Sequence, residues 1–116
     1  MRDFVTRGKE INNLQDFLNK MFNLFPNFST DWDINKLPYV FFGDFVCFIE
    51  KNSISINMAD VDYIINLFLN STFQKGDKEN IIIVGFLEVL QDDNVLYKKL
   101  KNCSTHELKK IFKQYF

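Results

Sequence analysis

The stretch Leu37–Glu50, LPYVFFGDFVCFIE, decides the fold. It sets four of the chain's fourteen phenylalanines behind a proline and keeps one acid, Asp44, inside the apolar run. Pro38 suits the first turn of a helix, where its missing N–H costs nothing. From there to Lys51, Tyr39, Val40, Phe41, Phe42, Phe45, Val46, Phe48 and Ile49 point in nearly every direction around a helical axis. A helix that is apolar all round belongs at the centre of a bundle. An acid within such a helix must be paired or used. Gly43 in its interior is expected to mark the close approach of another backbone.

Working outward, the apolar positions of Ile11–Leu24 fall on one face at helical spacing, and Pro26 stops that helix. A loop, 27–36, follows and carries Trp32 between Asp31 and Asp33. Ile54, Ile56 and Met58 alternate with Ser53, Ser55 and Asn57, a strand period. A hairpin there would leave both its edges open, so a loop is expected. Asn57 is read as the N-cap of a third helix reaching about Thr72, with Asp60 and Asp62 favoured in its first turn by the helix dipole. The run Ile81–Leu90 predicts a second central helix over 78–91. Asn94 is read as the cap of a short helix, 95–101. Ser104-Thr105-His106-Glu107 has the pattern of a capping box that opens the last helix. The expected fold is all-α: one compact five- to six-helix bundle spanning 1–116, with residues 1–10 flexible. Its two apolar helices start forty positions apart, as helical-repeat units do.

The bulk properties bound the function by exclusion. At 47% hydrophobic and 25% charged residues, the chain has the composition of a globular protein. The longest apolar run, Ile81–Leu87, is far short of the roughly 20 residues that span a bilayer, and the first ten residues have no signal-peptide core. Cys47 and Cys103 match no metal spacing and read as reduced thiols of a cytoplasmic protein. The glycines are scattered singly, and no zinc, EF-hand or phosphate-loop motif occurs. No cofactor is therefore expected. Residues 94–116 hold six lysines and one acid, net +5, which leaves −6 on residues 1–93 of a chain whose net charge is −1. That asymmetry can steer association, yet it falls short of the basic excess of a nucleic-acid binder.

The residues LPYVFFGD and the later FLEVL resemble a family of small bacterial domains of unknown function, marked by LP-x-V-x-F-G-D and F-L-E-x-L. The matching positions are Leu37, Pro38, Val40, Phe42, Gly43 and Asp44, then Phe86, Leu87, Glu88 and Leu90. Members of that family look similar to immunity proteins encoded beside bacterial toxins. The resemblance implies a helical domain in a bacterial cytoplasm with no established enzymatic activity, and it brings no catalytic residues with it.

Four groups of residues could carry chemistry. If the two central helices pack through Gly43 and Gly85, Asp44 and Glu88 come together as a buried carboxylate pair able to split acid and base roles. The bland reading makes each acid a structural partner of an amide or a lysine. His106 beside Cys103 invites a Cys–His reading, but the capping box already explains His106's neighbours. The C-terminal lysines interleave with Tyr97, Phe112, Tyr115 and Phe116 and could suit single-stranded nucleic acid. A solvated helix face, which also offsets the helix C-terminal dipole, is the favoured reading of them. Trp32, flanked by Asp31 and Asp33, either tucks into the core or anchors a protein partner. The leading expectation is a non-enzymatic module whose acidic surface covers a basic site on a partner protein. Beside it stand a small enzyme using Asp44 and Glu88, and a domain that self-associates through apolar helix faces.

Overall fold

The computed structural model describes residues 14–116; the expected flexibility of 1–10 and the first turn predicted from Ile11 lie outside the described residues. The architecture is all-α, with six helices and no strand among the described residues. Helix α1 is Leu14–Leu24, α2 is Pro38–Lys51 and α3 is Met58–Leu69. Helix α4 runs over 78–90 as three consecutive pieces: Lys78–Ile82, a π-helical turn Ile83–Leu87, and Glu88–Leu90. Helices α5 (Asn94–Cys103) and α6 (His106–Tyr115) complete the chain.

The two apolar helices are central, as their composition requires. α2 packs most extensively against the π-helical turn of α4, and α3 bridges this pair to α1, α5 and α6. Phe42, Phe45, Val46 and Ile49 from α2 meet Ile81, Ile82, Phe86 and Leu87 from α4 in one fully buried core. Aromatic rings fill the joints: Phe42 lies 4.8 Å from Phe68 and Phe45 5.1 Å from Phe25, both edge-on. That geometry sets the positive ring edge of one against the negative face of the other.

The glycines act differently from the sequence expectation. A Cβ on Gly43 would meet nothing within 4 Å among the described residues, so none of their backbones approaches it. The close approach is at Gly85, where a Cβ would lie 3.0 Å from Tyr39 Cα and 3.3 Å from its carbonyl oxygen. Gly85 sits inside the π-helical turn, whose extra residue lets α4 settle against the first turn of α2.

Helix ends correct two further readings. α5 is capped by Asp93, whose Oδ1 accepts from the N–H of Leu96 at 3.1 Å, and not by Asn94. The expected box at Ser104–Glu107 does not form. Ser104 Oγ donates instead to the Lys101 carbonyl at 2.9 Å and closes α5, while Glu107 turns to Lys110 at 3.4 Å. The N-terminus of α6 is capped from α3. Asp62 Oδ1 accepts from the Thr105 N–H (3.0 Å), Asp62 Oδ2 from the Thr105 hydroxyl (2.6 Å), and Asn66 Oδ1 from the Leu108 N–H (2.9 Å). Asn66 Nδ2 donates to Asp62 Oδ1 and to the Thr105 carbonyl, both at 3.0 Å, closing the network. Asp62 and Asn66 are each only 6% exposed, so the bonds form where water cannot compete. The same junction holds His106 at φ 52°, left-handed backbone that a residue with a Cβ adopts at a cost.

Other expectations hold. Asn57 caps α3 through Oδ1 and the Ala59 N–H at 2.9 Å, although α3 ends at Leu69 rather than near Thr72. Residues 52–57 form turns rather than a strand, with Ile54 fully exposed at 103%.

Candidate functional site

The loop between α1 and α2 is short of secondary structure but pinned along its length. Thr30 Oγ1 donates to Asp44 Oδ2 at 2.6 Å and accepts the Trp32 N–H at 3.2 Å. Asp33 Oδ1 accepts the N–H groups of Asn35 (2.7 Å) and Lys36 (3.1 Å), and the Asp33 carbonyl accepts from Leu37 (2.8 Å). Gln74 Nε2 reaches across to the Ile34 carbonyl at 3.1 Å. With Ile34 buried beneath, these bonds make the loop a platform formed before any partner arrives.

Trp32 stands on that platform 45% exposed, so it is not the core residue that one reading of the sequence made it. It borders a groove of about 220 Å³. Leu14, Leu18 and Phe22, four residues apart along α1, form one wall; Thr30, Trp32, Asp33 and Ile34 from the loop, with Phe41 from α2, form the rest. The lining is mainly apolar, with Asp33 as its acid. Asp31 is exposed and makes no hydrogen bond or ion pair among the described residues. Asp33 commits Oδ1 to the turn.

Asp44 and Glu88 do not form the buried pair. Glu88 is exposed, and no hydrogen bond links it to Asp44 among the described residues. Asp44 is half-buried and is held by Thr30 alone, leaving Oδ1 without a described partner. The structural reading accounts for half of Asp44: it fastens the loop to α2. Asp44 also lines a second depression of about 300 Å³, together with Ser29, Cys47, Lys51 and Asn52 among others.

The other candidates are weaker. Cys103 Sγ donates to the Leu100 carbonyl at 3.6 Å, and burial, then the charge of Asp62, pushes its thiol above the ordinary range. A raised thiol is protonated near neutral pH and makes a poor nucleophile. His106 is exposed and turned out by the α5–α6 junction. A cleft of about 470 Å³ lies where α3 ends and α4 and α6 begin, but most of its polar groups are already engaged. Asp77 caps α4, Glu79 accepts the Tyr115 hydroxyl at 2.9 Å, Glu107 pairs with Lys110, and Lys78 donates to the Ser71 carbonyl. Among the lysines of the basic end, Lys101, Lys109 and Lys113 border a cleft of about 440 Å³ with Phe112 and Phe116. No group of acids, cysteines and histidine among the described residues could hold a metal ion. No helix among them is long and apolar enough to cross a membrane.

Residues 18–116 match a family described as a domain of unknown function, DUF7674. The chain belongs to that family. The DUF7674 match covers α2 to α6 whole, all but the first turn of α1, and the Trp32 platform. No curated protein and no solved structure matches the chain.

Proposed function

We propose that this DUF7674 protein is a non-enzymatic protein-binding module of immunity or regulatory type, acting in a bacterial cytoplasm by covering a basic site on a partner protein. One observation carries the reading. The chain's single tryptophan is held out on a hydrogen-bonded loop, at the mouth of an apolar groove that Asp33 helps to line, and the exposed Asp31 precedes it in the chain. Tryptophan on a pre-formed surface is the residue type that most often dominates binding energy. Carboxylates at a rim steer a cationic partner and select it more than they hold it. The partner feature that fits is an apolar side chain flanked by lysine or arginine. The −6 charge of residues 1–93 supports attraction of the same sign at longer range.

The test is a selection of random displayed 12-residue peptides on the full chain, followed by calorimetry on a selected peptide. The reading expects winners with an apolar anchor between basic residues, and Trp32→Ala to weaken binding by about tenfold or more, in line with a hot-spot residue. Winners without basic enrichment, or equal binding by Trp32→Ala, would overturn it.

A further inference from the structure

Gly43 is a cost with no return among the described residues. Glycine in a helix interior is less favourable than alanine, and the usual compensation is another backbone lying too close for a Cβ. Gly85 has that compensation in Tyr39; Gly43, in the middle of α2, has open space. It is not on a bare polar face. Val40, three residues before it, and Cys47, four after, are both exposed, and Asp44 beside it keeps Oδ1 without a described partner.

This face is continuous with the Trp32 groove. Thr30 lines the groove and holds Asp44, the neighbour of Gly43 on α2. One strip therefore runs from Trp32 through Thr30 to Asp44 and Gly43. Its acids are Asp31, Asp33 and Asp44; Lys36 flanks the loop and Lys51 closes the far end of the helix.

We propose that the main chain of a basic partner segment crosses α2 at Gly43, with its apolar anchor in the Trp32 groove and a cationic side chain or N–H group on Asp44 Oδ1. This rests on the binding reading above and names the second half of its surface. The occupant follows from charge: the exposed Asp31 and Asp33 and the half-buried Asp44 outnumber Lys36 and Lys51 on the strip, which favours a cationic segment. The missing Cβ supplies room for a backbone that a side chain would push away.

The test is Gly43→Ala in the full chain, probed with a peptide from the same selection. Because the added Cβ meets nothing, the variant is expected to melt at the same or a higher temperature. Peptide affinity is expected to fall about tenfold or more, so lost stability cannot explain the loss. Unchanged affinity in Gly43→Ala, with binding lost in Trp32→Ala, overturns the crossing and leaves the groove standing. Unchanged affinity in both variants overturns the groove as well. A wild-type chain that sediments as a dimer, dissociated by Gly43→Ala, makes a second copy the occupant and overturns the basic segment.

Discussion

Asp62 and Asn66 do more for this fold than any charged pair on its surface. Each satisfies a backbone amide at the start of α6 from a buried position on α3, so truncation would leave the buried N–H of Leu108, or the partly buried one of Thr105, without its acceptor. An unsatisfied buried donor costs about 1–3 kcal/mol. Asp62→Ala and Asn66→Ala are each expected to lower stability in urea by about that amount. Glu107→Ala, which removes only the exposed pair with Lys110, should change it by about 0.5 kcal/mol or less. At the same scale, the two thiols should part company. Cys47 is exposed, while Cys103 is half-buried with its thiol raised. Iodoacetamide near neutral pH is expected to label Cys47 first, with Cys103 following only as the pH rises; equal rates would contradict the burial of Cys103. Since folding raises the Cys103 thiol, the unfolded chain loses that proton first. Its contribution therefore lies below the unfolded thiol's ordinary value and fades as pH rises above it.

At the scale of elements, the glycines make opposite predictions from the same substitution. Gly85→Ala would drive a Cβ onto the Tyr39 backbone, which cannot swing aside, and is expected to cost about 1–3 kcal/mol. Gly43→Ala is expected to stabilise the free protein by up to about 1 kcal/mol. Urea melts of the two variants should move to opposite sides of wild type. The contrast also shows what could be read from the chain. Both central helices are legible, because LPYVFFGDFVCFIE and IIIVGFLEVL are apolar all round and only a core can hide such surfaces. The π-helical turn is not, because nothing local in IVGFL separates it from an α-helix; packing against Tyr39 selects it. The α6 cap was misassigned because S-x-x-E is a local pattern while the real donors and acceptors are paired across 39 to 43 positions. A signal was present: Asp62 and Asn66, four apart, interrupt the buried stripe of Val61, Ile65 and Phe68, and buried polar groups need partners.

For the whole molecule, the candidate site is where local sequence says least. Asp31-Trp32-Asp33 stands out as a motif, yet the exposure of Trp32 depends on α1 lying alongside and on Gln74 holding Ile34 from forty positions away. Asp44 and Glu88 do not meet, because α4 turns Glu88 to solvent while Gly85 seats on Tyr39; Asp44 instead fastens the loop through Thr30. What remains is one face with an apolar groove, free carboxylates and an uncrowded glycine. The chain's single tryptophan reports on it directly. The decisive measurement is Trp32 emission during titration with a tryptophan-free basic peptide from the selection, at low and at high salt. The account predicts a blue shift as the indole is covered, with affinity falling as salt screens the carboxylates. Binding seen by calorimetry that leaves the emission unmoved, or that is indifferent to salt, would contradict it.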